Sequence, residues 1–472
     1  MAMRPMTQQV LDELGDVIGP ENLVVPDHDA SLDAYLRPAR GTGGPADAVV
    51  RPGSTEDVRT VVLWAIRHDV ALIPQGANTG LVGASVPPRE PPVRPVVIVS
   101  TDRLTGELVV HSDDRVAVVS AGVRLSALNA ALEPHDLELP IDLAADPSIG
   151  GMVSTDTGGA RMLHDGDMRR HVLGLEAVLA DDDATVIDDL TRLRKDNTGP
   201  RPSSFLIGSG GAFGIVTRVT VEVTRRPRER ECALLAIRSG SDALRALKVL
   251  EGSLGSLMSA FEVMSRPAVD AAVGTVERVR TPWPGPDRPE LVVLVEASGP
   301  LGIAEAMTAA MADVAASGAV DDAVLAPAHD AWGLRHAISE GLARTGTVVG
   351  FDVSVPRSEL AGFREDVRAK VSGALPRAIV ADFGHWADGG THCNLVFADA
   401  PPDDGERATA RDLVFSTAVL EHHGSYSAEH GIGPHNADWW RRTTPPAMQR
   451  LLRDVRDICD PHRVLGHPDL PF

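Results

Sequence analysis

Lysine, cysteine and tyrosine are scarce in this chain of 472 residues. It has lysine only at Lys195, Lys248 and Lys370, and acidic residues outnumber basic ones 66 to 45, for a net charge of −21. That argues against a nucleic-acid or anionic-membrane surface as the main partner, because both require clustered positive charge. Arg, Ala, Gly and Pro abound while Lys is rare, which reads as a codon-composition bias. The three cysteines, Cys232, Cys393 and Cys459, are odd in number, far apart and never in a CxxC pair. A disulfide framework and a zinc ribbon are thereby excluded, and a reducing, cytoplasmic compartment is expected. Met1 to Gly15 lacks the apolar core of a secretory signal. No uncharged apolar run reaches the roughly 18 residues of a membrane span. The expectation is a soluble protein.

The composition that remains, 43% hydrophobic and 24% charged, suits a globular chain. At roughly 100–200 residues per domain it should form two to four domains. Residues 7–18 read as an amphipathic helix, 48–52 as a strand, and Ser54–Thr55–Glu56–Asp57 as the cap of a helix running to His68. Strand Val70–Pro74 then meets a glycine-rich loop. Further strands are expected at 96–100, 108–111, 116–120, 174–180 and 215–224, with a helix over 124–133. The charged run 225–231 reads as a linker. Beyond it, helices at 242–252 and 303–317 alternate with strands at 291–296, 347–355 and 379–384, an α+β texture. Helix 406–423 should end at Gly424 as a C′ glycine, and 445–459 should form a last helix.

Three glycine clusters mark the first half. The loop Gln75 to Ser85 (Gln-Gly-Ala-Asn-Thr-Gly-Leu-Val-Gly-Ala-Ser) is the first. Glycines let successive N–H groups turn inward as an anion nest. The spacing is neither GxGxxG nor GxxxxGK[ST], which disfavours a Rossmann turn and a Walker loop. Read alone, the cluster is equally an ordinary loop. The others are Ser148–Gly151 with Thr157–Gly159, and Gly208–Gly214. Three such loops suggest one elongated phosphate-bearing ligand, and a dinucleotide such as FAD fits.

The strongest chemical signal is Asp382 to Phe397. Asp388–Gly389 between two strand-like runs is a type I′ hairpin signal. A two-residue turn there sets His385 directly opposite His392, with Cβ atoms ~5 Å apart. Asn394 projects from the same face and Cys393 from the other. Two such imidazoles suit one divalent metal, or they hydrogen-bond within a sheet. The segment Ser427–Ala428–Glu429–His430–Gly431–Ile432–Gly433 offers the missing carboxylate, Glu429, beside a candidate base, His430. A metal hydrolase using His385, His392, Glu429 and a water would leave the glycine loops unexplained. His422, His423 and His435 read as surface residues.

Taken together the motifs resemble the FAD-linked D-2-hydroxyacid dehydrogenases of the vanillyl-alcohol-oxidase and p-cresol-methylhydroxylase flavoprotein superfamily, most nearly the branch that oxidises D-2-hydroxyglutarate. The resemblance runs from about Val49 to Pro468 and rests on 74–80, 193–199, 208–217, 384–394 and 427–433. It implies an α+β chain: a two-subdomain FAD-binding domain of the p-cresol-methylhydroxylase (PCMH) type over 1–225, an α+β substrate or cap domain over 226–405, and a C-terminal helical segment, 406–472, packing back on the first. It implies FAD contacts at Pro74, Gln75, Gly76, Ala77, Asn78, Thr79, Gly80, Gly83, Ala84 and Ser85. Ser148, Gly150, Gly151, Ser154, Thr157, Gly158, Gly159 and Ile215 complete that set, with pyrophosphate on the 75–85 loop and the Gly150–Gly151 turn. The first loop holds no His or Cys, so dissociable FAD is implied.

The same resemblance makes His385, His392 and Glu429 ligands of a divalent metal, zinc first, with manganese or iron as the other candidates. His430 becomes the base, Asn394 a substrate contact, and Arg335 and Ser339, i and i+4 on one helix, the substrate-carboxylate site. The reaction implied is oxidation of a D-2-hydroxyacid to the 2-oxoacid by hydride transfer to flavin N5. A lactate-like acid, another hydroxyacid or alcohol of secondary metabolism, and a decayed flavin scaffold stay open. So do the acceptor (electron-transfer flavoprotein, quinone or O₂) and a homodimer. Three positions depart from the hydroxyglutarate branch: Gly350 and Asn436 stand in place of lysines, and Gly390 in place of an asparagine.

Overall fold

The computed structural model describes residues 6–26, 32–41, 43–90, 93–143, 145–285 and 288–472. The chain divides into two compact units, one of 1–158, 166–226 and 430–472, the other of 159–165 and 227–429.

In the first unit the run Val96–Ser100 is buried throughout and lies between Ala48–Val50 and Ala71–Gln75, parallel to both. A continuous apolar run is what a parallel strand covered on both faces needs. The helix Thr55–His68 precedes Ala71–Gln75, and its Ser54 hydroxyl accepts from the Asp57 N–H as expected of an N-cap. A second sheet is antiparallel, in the order Leu108–His111, Val116–Ser120, Ile215–Glu222, Val172–Val178, Val186–Asp188.

The C-terminal segment returns to this unit at His430, not at 406. Leu72 N–H donates to Val464 O, and Gly466 N–H to Leu72 O, which knits the end of the chain to the first sheet. His467 is buried there, and its Nδ1 accepts from the Asp469 N–H at 3.2 Å. Burial pushes this imidazole down to about 4. Its ordinary value is near 6.5, so the unfolded chain binds the extra proton first. Stability is then complete above pH 6.5 and falls as pH drops toward 4, by about 3 kcal/mol. His467→Gln is expected to flatten that acid slope, read as urea midpoints of the first unit between pH 7 and pH 4. An unchanged slope refutes the assignment.

The second unit is built on a seven-stranded antiparallel sheet. Its order is Asp322–Ala326, Glu229–Ile237, Leu291–Gly299, Met258–Ser265, Ala378–His385, Gly390–Phe397, Thr347–Ser354. The run read as a linker, 225–231, is therefore largely strand: Glu229–Glu231 pair with Ala297–Gly299. Charge there marks partly exposed strand ends, not flexibility. One sheet face carries Ala260, Met264, Leu294, Ala381 and Phe383 against Ala268–Ala272 and the helix Ala328–Thr345.

The short segment 159–165 joins this unit through Arg161. Its guanidinium grips the buried Glu296 with bonds of 2.6 and 2.9 Å and stacks on Trp332, 4.9 Å from the ring centre. Helix Asp404–Ser416 also belongs to this unit and begins with an Asp403–Glu406 capping box. It continues into a π-turn, Thr417–Glu421. The left-handed residue at its end is His423, not Gly424. Gly424 is glycine because a Cβ would meet Ser354 O at 2.1 Å. His422 is not a surface residue. It is buried, with Nδ1 3.1 Å from Glu359 and Nε2 3.0 Å from Asp366, and it fastens this turn to the helix Leu360–Ala374.

Candidate active site

The hairpin forms, but not in the expected register. Phe383, not His385, lies opposite His392, and four residues, Trp386 to Gly389, connect the strands. The Asp-Gly preference yields to burial. Trp386 is 1% exposed and drives inward, while the Asp388 carboxylate accepts from the Gly390 N–H. Gly384, at φ +151°, lets the strands close where a Cβ would lie 3.0 Å from Thr391 Cα.

The histidines still meet. Phe383 and His385 share a face two residues apart, and His392 joins that face opposite Phe383. The rings of His385 and His392 lie 5.3 Å apart at 81°. Asp352 is opposite His392 on the next strand, and Glu262 is opposite His385 on the other side. Register thus lays Asp352, His392, Phe383, His385 and Glu262 across four strands on the face beneath helix Ala328–Thr345.

Glu429 is brought in by the edge strand. Ser354 and Ser425 exchange backbone hydrogen bonds, Ala428 N–H donates to Asp352 O, and Glu429 N–H donates to the Asp352 carboxylate at 2.7 Å. The Glu429 carboxylate lies 3.4 Å from His385 Nε2. One ligand atom from each of His385, His392 and Glu429 lies within 4.8 Å of the others. Tetrahedral zinc bonds of ~2.0–2.1 Å place neighbouring ligand atoms about 3.3 Å apart, so the His385–Glu429 spacing suits a shared cation. The donor set is two imidazoles and a carboxylate, and it fits a divalent metal.

Charge supports the same face. Burial opposes ionisation of both His385 and Glu262, but each offsets it for the other. The neighbouring Glu262 carboxylate pushes His385 up to about 9, and His385 with Arg335 holds Glu262 down at about 2. Burial lowers His392, with Asp352 opposing, and leaves a neutral imidazole at neutral pH. His392 Nδ1 lies 3.4 Å from Asp352.

Arg335 sits on the expected helix and is buried. Its Nε donates to Glu262, and its guanidinium lies 4.5 Å over the Phe383 ring. Its two Nη groups make no hydrogen bond to protein among the described residues, which leaves the bidentate edge for a carboxylate. Ser339, one turn on, is exposed. Asn394 is buried and donates to Ala381 O and His392 O, both at 3.3 Å. Glu262 and Asp352 escaped sequence reading. Their signal was an acid inside an apolar strand, Ser-Ala-Phe-Glu-Val-Met and Gly-Phe-Asp-Val.

In the first unit, Gln75, Asn78 and Ser85 spend their side chains on the loop itself. Gln75 donates to Tyr35 O and Ser85 O, Asn78 to Arg37 O, and Ser85 to Asn78. The backbone N–H groups from Gly76 to Ala84 donate to no protein acceptor among the described residues. A half-buried run of free donors suits an anionic group, and it fits the pyrophosphate of FAD. Gly76 is needed there because a Cβ would lie 2.3 Å from Ser148 Oγ.

The Gly150–Gly151 turn is not such a cradle. Gly150 N–H donates to Ala121 O and Gly151 N–H to Ser148 Oγ. A Cβ on Gly150 would meet Ala121 Cβ at 2.5 Å, so close packing explains that glycine. Ser154 bonds Gly150 O, Thr157 N–H bonds Met152 O, and Ile215 is buried in its strand against Val178. Gly158 and Gly159 fall on opposite sides of the division between the units. A cleft of about 770 Å³ in the first unit shares only Gly83 with the expected cofactor contacts.

Comparison with known proteins agrees with both units. Residues 46–188 match the FAD binding domain, and residues 226–467 match the C-terminal domain of FAD linked oxidases. The chain is 34% identical over 441 residues to the mitochondrial D-2-hydroxyglutarate dehydrogenase of Rattus norvegicus, covering 92% of this chain and 79% of that one. It is 32% identical over 448 residues to the D-2-hydroxyglutarate dehydrogenase of Xanthomonas citri pv. viticola, covering 93% and 92%. In fold it is similar to p-cresol methylhydroxylase with substrate bound, at a TM-score of 0.72, 16% identity and coverage of 98% and 97%. The chain has the PCMH-type FAD-binding fold and belongs to the FAD-linked oxidase family, in its D-2-hydroxyacid dehydrogenase branch.

Proposed function

We propose that this chain is a metal-dependent FAD dehydrogenase that oxidises a D-2-hydroxyacid to its 2-oxoacid by hydride transfer to flavin N5. The observation that carries the reading is the convergence of His385, His392 and Glu429 at the sheet face onto which Arg335 reaches from the helix Ala328–Thr345. The activity named for the relatives supports it. FAD, when bound, supplies the two-electron acceptor, and a divalent cation, when bound, supplies Lewis-acid polarisation.

The chain's own residues do the rest. The 76–84 loop holds the cofactor pyrophosphate through backbone N–H groups. The free edge of Arg335 takes the substrate carboxylate and so sets which hydrogen on Cα is presented for transfer. Asn394 borders the same face. His430, next to Glu429 in the chain, takes the hydroxyl proton as a neutral imidazole. Position 350 carries no side chain opposite Asn394. That favours a lactate-like acid over one needing a second cation for a distal carboxylate. The unbridged cysteines agree with a reducing, cytoplasmic setting.

A panel of D- and L-2-hydroxyacids, including lactate and 2-hydroxyglutarate, tests this with an artificial electron acceptor. Bleaching of the yellow flavin band by D-acids alone is expected. No bleaching by any hydroxyacid contradicts the proposal.

A further inference from the structure

We propose that Glu262 is a positioning residue that couples His385 to Arg335, so that one buried carboxylate sets both the metal ligand and the substrate arm. This rests on the metal and substrate reading above. Glu262 is fully buried in the apolar strand Met258–Ser265. An isolated carboxylate there would be strongly disfavoured. Its two oxygens are divided: Oε1 meets His385 Nδ1, and Oε2 accepts from Arg335 Nε. Accepting from Nδ1–H fixes that proton and the ring's orientation, and leaves Nε2, 3.4 Å from Glu429, as the nitrogen that would bind a cation in exchange for its own proton. Accepting at Nε holds the guanidinium plane over Phe383 and turns the Nη edge free. A glutamine has one acceptor and one donor end, so it cannot serve both groups.

The test uses the full FAD-loaded chain, stripped by chelation and titrated with Zn²⁺ alone. In E262Q the zinc affinity is expected to fall 10–100-fold. KM for the hydroxyacid should rise, while FAD content stays close to wild type and the melting temperature falls with the loss of the buried ion pair. Excess zinc should restore kcat and leave KM raised, a split that a merely structural ion pair would not produce. Wild-type zinc affinity and KM in E262Q overturn the proposal and leave the metal reading intact. A wild-type chain that binds no zinc overturns both. If E262Q fails to retain FAD, E262D replaces it, with the charge kept but drawn back by one methylene. Intermediate affinity is then expected, and wild-type values overturn the proposal equally.

Discussion

Turnover of D-2-hydroxyacids should fall by at least 10³-fold when the protein is stripped by a chelator, and should return with Zn²⁺ or Mn²⁺. Lewis-acid stabilisation is worth several kcal/mol, and each 1.36 kcal/mol is tenfold in rate. His392→Ala is expected to reproduce the loss without rescue at ordinary metal concentrations. His392 suits a ligand role because burial opposes its protonation, and the carboxylate of Asp352, its cross-strand partner, lies 3.4 Å from its Nδ1. FAD should stay bound throughout, since the backbone N–H groups of 76–84 proposed to hold it include none of the proposed metal ligands. The measurement is steady-state reduction of an artificial acceptor beside the flavin spectrum. Full activity in metal-free protein refutes the metal role.

The second large effect concerns His430. His430→Ala should retain FAD and zinc yet lose 10²- to 10⁴-fold in substrate-dependent flavin bleaching, the range supplied by a positioned general base. The loss should shrink as pH rises, because hydroxide then competes for the same proton, and it should appear in kcat more than in KM. Stopped-flow bleaching over a pH series reads both. Unchanged bleaching removes His430 from the base role. A parallel loss of zinc would instead mean that His430 serves the metal centre.

The element pattern was legible where local physics and tertiary packing agree. Ser54 capped its helix, and the apolar run at 96–100 became a buried parallel strand. The hairpin histidines were visible because Asp-Gly and alternation mark a turn between strands. Their exact pairing was not, because the inward pull on Trp386 lengthened the connection and slid the register. Sharing a face two residues apart rescued the convergence despite the slip.

Glu262 and Asp352 were hidden for another reason. A buried acid in a strand is interpretable only when its cross-strand partners are known, and those are set by non-local pairing. The same holds for Gly150. Its sequence context suggested a phosphate turn, yet its N–H donates to Ala121 O and its missing Cβ makes room for Ala121. At 76–84 the inference from glycine to free donors agrees with the structure, since no protein acceptor takes them among the described residues.

The proposed chemistry requires that His385, His392 and Glu429 hold a cation. Metal analysis after zinc loading and desalting tests that directly, on wild-type protein and on a variant carrying H385A, H392A and E429Q. The account predicts a single equivalent of zinc in the wild type and none in the variant, with FAD retained in both. Equal zinc in the two proteins, or none in either, would contradict it.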